Sequence, residues 1–334
     1  MKNRLVILIA INLLVFNLGL FGLAHKKSAK TLPVVTSPLP PIMHPKVPVE
    51  TPPPNYTLET PVPSFMQYEE LVAQLHKWAD DAPRLSEMGS YGKSINGKDL
   101  IYFRVHNRKK VDRPIVLVTA AIHGNESWST GIVMGYIGTL LDQYGDDEQI
   151  TQIVDSVDIY FVPIVSPATY PDRREVNGID PNRDFPTQKD PGKSSIQAIQ
   201  ALCEFFVSLR PQAVLSGHTW GRLYLQPYGD SMKDPPHQSD YQRIGGKMVE
   251  LSHYTLQKAS QIYRRPILGT EIDWYYRHGA FAMVAEFGAH QHPPTASEIL
   301  SEFNRTFQAF LYFLEEAPKI RIEWSAGWAH PLAA

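Results

Sequence analysis

Three patterns of apolar and polar positions follow one another along the chain. Leu5 to Ala24 is a run of twenty residues without a charge, preceded by Lys2 and Arg4 and followed by His25-Lys26-Lys27. From Pro33 to Pro63 the apolar residues lose any period, and eleven of thirty-one positions are proline. Beyond Ser64, short apolar runs rich in β-branched residues (Ile115 to Ala121, Val157 to Val165, Ala213 to Ser216, Phe281 to Phe287) are separated by stretches with helical spacing. Tyr68 to Ala79, with Leu71, Leu75 and Trp78 on one stripe, is the first predicted helix. Strands apolar on both faces that alternate with helices predict an α/β fold, a mixed, largely parallel sheet sandwiched by helices. No internal repeat or second proline-rich break interrupts it. Residues 64–316 are therefore expected to form one catalytic-sized domain, with 317–334, carrying Trp324 and Trp328, as a C-terminal tail.

The two N-terminal patterns predict an address and a spacer. Twenty helical residues span about 30 Å, enough to cross a bilayer. Gly22-Leu23-Ala24 also offers the small residues at alternate positions that a signal peptidase prefers. Residues 1–30 are thus expected to export the chain, as an uncleaved signal anchor or as a cleaved signal peptide. The protein would then face the periplasm or the extracellular side from the membrane, or be secreted. Residues 31–63 can form neither helix nor sheet interior and read as a stiff proline-rich linker, reaching on the order of 95 Å at about 3.1 Å per residue.

Composition changes this picture in two places. A formal net charge of −2 removes the electrostatic case for nucleic acid as a partner. The single cysteine, Cys203, makes no internal disulfide and no thiolate cluster, and it shares a helical face with Ile199 and Phe206, as a packing residue does. Any metal in this chain must therefore be held by histidine and carboxylate.

Such residues occur where the predicted strands end. His123-Gly124-Asn125-Glu126 follows the first strand, Gly217-His218 follows the third, and Glu286 lies near the end of the last. Open α/β sheets bind ligands beyond the carboxyl ends of their strands, where the loops diverge. Two imidazoles and a carboxylate arriving there suit zinc, which accepts neutral nitrogen and hard oxygen donors and keeps a position open in catalytic sites.

With these residues in place, the chain resembles the zinc carboxypeptidases, a family that includes carboxypeptidase A-like enzymes and bacterial murein peptide amidases. The resemblance covers most of 64–316. It rests on Ala121-Ile122-His123-Gly124-Asn125-Glu126, Asn177-Gly178-Ile179-Asp180-Pro181-Asn182-Arg183-Asp184-Phe185-Pro186, Ser216-Gly217-His218, Leu225-Gln226-Pro227-Tyr228-Gly229, Ile272-Asp273-Trp274 and Ala285-Glu286-Phe287. It implies one zinc ion per chain held by His123, Glu126 and His218, with Glu286 as general base. It implies that Asp180 orients a ligand imidazole, and that Asn182 and Arg183 hold the terminal carboxylate of a peptide substrate. It implies Arg173 for the oxyanion, with Arg174 as its immediate rival, and Tyr263 as a residue that closes over substrate. Ile272 matches the floor of the family's specificity pocket, flanked by Glu271 and Asp273.

The sequence departs from the family in several places. Ser166-Pro167-Ala168-Thr169 replaces the usual Asn-Pro-Asp-Gly turn, Asn125 stands where the pancreatic enzymes carry arginine, and two additional residues separate Tyr263 from Ile272. His290-Gln291-His292 lies in a proline-terminated loop and reads as rim histidines. The resemblance implies an exported metallocarboxypeptidase acting on the C-terminal amide bond of peptides, with cell-wall stem peptides among the candidates. An N-acyl amino acid deacylase and a non-catalytic zinc-binding envelope module are the two other readings of the same residues.

Overall fold

The computed structural model describes residues 66–192 and 194–325. The expected anchor or signal segment and the proline-rich linker lie outside the described residues, as does the end of the tail. Among the described residues no helix is long and apolar enough to cross a membrane.

The chain opens with α1 (Tyr68–Asp81) and a hairpin of β1 (Ser86–Lys93) and β2 (Asp99–Val105), followed by β3 (Ile115–Ala120). Next come α2 (Ser127–Asp142), α3 (Glu148–Ser156), β4 (Asp158–Val162), α4 (Gln197–Leu209), β5 (Ala213–Thr219) and β6 (Leu223–Gln226). It continues through α5 (Gln238–Ser252), β7 (Thr255–Lys258), α6 (Ala259–Ile262), α7 (Glu271–Arg277), β8 (Phe281–Phe287) and α8 (Ala296–Glu316). The eight strands form one sheet in the order β1-β2-β4-β3-β5-β8-β6-β7. The central pairs, β4 with β3, β3 with β5 and β5 with β8, are parallel, and β6 with β7 is parallel too. Antiparallel pairs join β1 to β2, β2 to β4 and β6 to β8. The α/β architecture expected from sequence is thus present, and the four expected strands are its centre.

Helices cover both faces because the central strands are apolar on both. Along β8, Phe281 stacks on Tyr241 of α5 and Phe287 meets Tyr136 of α2, so the odd-numbered residues face the α2, α5 and α8 layer. Tyr136 in turn lies parallel to Phe310 of α8 at 4.0 Å. The even-numbered residues, Glu286 among them, face the other side, toward the layer of α4 and α7. Those two helices meet where Phe206 packs against Trp274 and Tyr275. α2 is apolar nearly all round, as a helix buried between sheet and α8 must be. α8 instead buries one stripe, including Ile299, Phe303, Phe307, Phe310 and Leu314, and starts at a Thr295–Glu298 capping box.

Two boundaries differ from the sequence expectation. β5 runs through Gly217-His218 to Thr219, so His218 sits within the strand and not after it. The glycine that looks like a strand end is required by packing, since a Cβ there would meet Phe287 at 3.0 Å and Ser129 at 3.1 Å. The packed region also continues past Glu316. Ala317 and Pro318 are buried, the Trp324 ring sits edge-on to His278 at 4.3 Å, and Ser325 N donates to Arg277 O.

Candidate functional site

The site is built where β3, β5 and β8 end side by side. Ala121, directly after β3, has φ +48, which turns the chain so that 122–126 loops over the sheet edge before α2 begins. Gly124 fits tightly in that loop, as a Cβ there would come within 2.5 Å of the Thr169 backbone. Ser166 Oγ donates to Ile122 O from the same side. The Ser166–Thr169 turn, unlike the family's, therefore still buttresses the loop that carries the first histidine. Glu126 is the N-cap residue of α2, and His218 arrives from β5.

His123, Glu126 and His218 are all buried, and they are the one group among the described residues whose donor atoms converge closely enough to hold a metal ion. His123 Nδ1 lies 2.8 Å from Glu126 Oε1, and His218 Nδ1 lies 3.0 Å from Glu126 Oε2. Each imidazole is held from behind by a second carboxylate. His123 Nε2 is 2.9 Å from Asp180 Oδ1, and His218 Nε2 bonds Glu271 Oε1. With Nε2–H donating outward, both Nδ1 lone pairs point at the same space.

Electrostatics fit a cation there. Burial alone would push both imidazoles down, but the charge of Glu126 and the hydrogen bonds to carboxylates outweigh it. His123 is raised above its ordinary value and His218 well above it. Burial pushes Glu126 up, but the two histidines outweigh it and lower it to about 2. Asp180, despite burial, is lowered by His123, Arg174 and Arg183. Three carboxylates (Glu126, Asp180, Glu271) thus surround the two imidazoles, with Arg174 paired to Glu126 and Asp180 and Arg183 acting on Asp180 from farther off, so negative charge stays in excess when the imidazoles are neutral and a cation would offset it. Two nitrogens and one oxygen are a zinc donor set. Because ligand imidazoles must be neutral, zinc uptake at pH 7 is expected to release about one to two protons, and affinity should fall as pH drops. Calorimetry in buffers of different ionisation enthalpy measures this; proton-free uptake would contradict the two-histidine site.

Glu286 stands beside this cluster. In the parallel pairing of β5 and β8 it is the register partner of His218, so both side chains leave the same face of the sheet on neighbouring strands. Burial raises its pKa to about 7, with His218 opposing and Glu126 reinforcing the shift.

The structure brings Arg174, and not Arg173, to the centre. Arg174 donates through Nη1 to Glu126 Oε1 and through Nη2 to Asp180 Oδ2, each at 3.2 Å, with its side chain 38% exposed. Arg173 is exposed and bonds Ala168 O. From sequence alone two adjacent arginines are indistinguishable, and only the turn before Asp180 decides which one faces inward.

Asn182 and Arg183 lie in a short 3-10 turn (Pro181–Arg183) capped by Asp180. Asn182 Oδ1 accepts from Glu271 N, and the Arg183 guanidinium lies 5.4 Å from the Tyr263 ring centroid. Tyr263 is 40% exposed at the end of α6. Ile272 is buried, and neither acidic neighbour is free. Glu271 holds His218, while Asp273 accepts from Gly229 N, Asp230 N and Thr270 Oγ1. Asp273 thereby anchors the Leu225–Gly229 segment to α7. His290 bonds Glu298, and Trp128 Nε1 donates to His292 O, so this pair belongs to the α2–α8 rim and not to the metal group. Sequence reading missed the Glu271–His218 pair, because the two residues are 53 positions apart and Glu271 was visible only as a neighbour of Ile272.

The sequence model of the zinc carboxypeptidase family matches residues 71–309. A zinc carboxypeptidase of Saccharothrix mutabilis subsp. capreolus is 26% identical over 257 residues, covering 64% of this chain and 59% of its own length. Carboxypeptidase D of Mus musculus is 23% identical over 256 residues, covering 70% of this chain and 18% of its own length. The chain thus spans less than two thirds of these relatives. Among solved structures, thrombin activatable fibrinolysis inhibitor superposes with a TM-score of 0.69 at 16% identity, covering 76% of this chain and 75% of that one. Carboxypeptidase A of Helicoverpa armigera gives 0.67 at 17%, covering 76% and 74%.

Proposed function

Since the chain belongs to the zinc carboxypeptidase family, we propose that it is a zinc metallocarboxypeptidase that hydrolyses the C-terminal amide bond of peptides outside the cytoplasm. The observation that carries this is the convergence of His123, Glu126 and His218 with Glu286 in register beside them. These three residues would hold zinc, which when bound supplies a Lewis-acidic charge that acidifies water and polarises a carbonyl. Glu286, with a pKa near neutrality, accepts the proton of the attacking water and returns it to the departing amine.

Arg174 supplies fixed positive charge at the edge of the cluster, where negative charge develops on the scissile oxygen. Arg183 offers two parallel donors to the terminal carboxylate, beside the Asn182 amide. Tyr263, packed over that guanidinium, covers the bound end. With both acids beside Ile272 already engaged, the terminal side chain is read as neutral or apolar.

The N-terminal pattern supports export, and peptides accessible there include ordinary proteins and cell-wall stem peptides. Mass spectrometry of products from both substrate sets tests the reading. Loss of one terminal residue is expected from peptides with a free C-terminus. C-terminal amidation should reduce kcat/KM by roughly 10–100-fold or more, since the charged pair with Arg183 is lost. Arg183→Ala should reduce turnover of the free acid and leave the amide nearly unchanged. Equal cleavage of acid and amide would remove the exopeptidase reading, and release of an acyl group in place of an amino acid would favour a deacylase.

A further inference from the structure

We propose that Glu271 is a positioning residue of the metal centre, acting through His218 as Asp180 acts through His123. The inference rests on the metal-site reading above and adds to it a second carboxylate–imidazole pair. Glu271 is fully buried at the start of α7, yet its carboxylate meets no lysine or arginine among the described hydrogen bonds and ion pairs. Its Oε1 bonds His218 Nε2, its backbone N–H is held by Asn182 Oδ1, and its Oε2 has no hydrogen-bond partner. The Tyr275 hydroxyl, one helical turn on and electrostatically coupled to Glu271, is also buried without a partner.

A buried carboxylate in this setting is unfavourable unless opposing charge compensates it. Among the described residues that charge reaches Glu271 through His218, whose far nitrogen faces the ion site. A cation on Nδ1 makes Nε2–H a stronger donor, and the carboxylate makes Nδ1 a stronger ligand. Glu271 also ties this ligand to the substrate side, because the same residue's N–H holds Asn182. Ion retention and the carboxylate anchor therefore share one short helix start.

The test is zinc affinity, measured by competition with a chromogenic chelator on the full chain. Glu271→Gln keeps shape and can still accept from Nε2–H, whereas Glu271→Ala removes both charge and hydrogen bond. Affinity is expected to fall about 10-fold for Gln and toward 100-fold for Ala. A double-mutant cycle separates this from general loosening. Glu271→Gln should have no further effect on zinc in a His218→Asn background and its full effect in a His123→Asn background. Loss in both backgrounds, or unchanged affinity in the folded Gln variant, overturns the proposal while leaving the metal site standing. If wild type binds no zinc, or His218→Asn binds it as tightly as wild type, the metal-site reading itself fails.

Discussion

Glu286→Gln is expected to lower kcat by about 10²–10⁴-fold while zinc content and fold are retained, the range seen when a positioned general base is removed. The amide fills the same space at the end of β8 but cannot take a proton. Zinc is not lost, because Glu286 contributes no atom to the His123–Glu126–His218 group. Stability should move in the opposite direction from activity. A carboxyl whose folded pKa is raised to about 7 by burial costs the metal-free protein stability once pH exceeds its unfolded value, and the cost is complete above pH 7. The metal-free Gln variant should therefore melt at or above wild type at pH 8, and the two should converge below pH 4. Single-turnover rates with metal analysis on the same sample decide the matter. A kcat within threefold of wild type would assign the base to another residue.

His123→Ala should cost more than the 10–100-fold in zinc affinity typical of altering a ligand's partner, because it removes a ligand atom itself. Glu126 and Asp180 each lose one of their partners with this imidazole, while Arg174 remains to both. Removing one partner of a buried pair destabilises by up to about 3–5 kcal/mol, and by less where Arg174 still pairs both carboxylates, so the metal-free variant should melt below wild type near neutral pH. Protonation of Glu126, whose folded pKa in wild type is about 2, would relieve part of this, making the gap smaller in acid. Plasma emission analysis after dialysis against a chelator, followed by zinc readdition, measures the metal effect. Wild type should lose and regain activity; His123→Ala should do neither. Stoichiometric zinc and normal turnover in the variant would place the ion elsewhere.

What could be read from sequence was set by distance along the chain. β3, β5 and β8 each begin with a short apolar run, and hydrophobic patterning locates them. The outer strands β1, β2, β6 and β7 carry mixed side chains, such as Thr-Leu-Gln-Lys in the edge strand β7, and their identity depends on a neighbour that only the fold supplies. His123 and Glu126 are three residues apart and their pairing is local. The Glu271–His218 contact is set by where α7 lands against β5, which no local period encodes. Arg174 and Arg173 differ only in which way one turn faces.

The adjacency of His218 and Glu286 has a consequence for how function fails. Their spacing comes from the ladder between two central strands, so it cannot drift gradually as a loop's geometry can. A slip of one residue would turn either side chain through the sheet to the opposite layer, and the pair would vanish as a unit. Activity in a refolded sample should therefore behave as a head count: each molecule is competent or silent, and turnover per bound ion stays constant whatever fraction of the population has paired correctly. Loops around this fixed pair, by contrast, can be exchanged to alter what is cut without altering how.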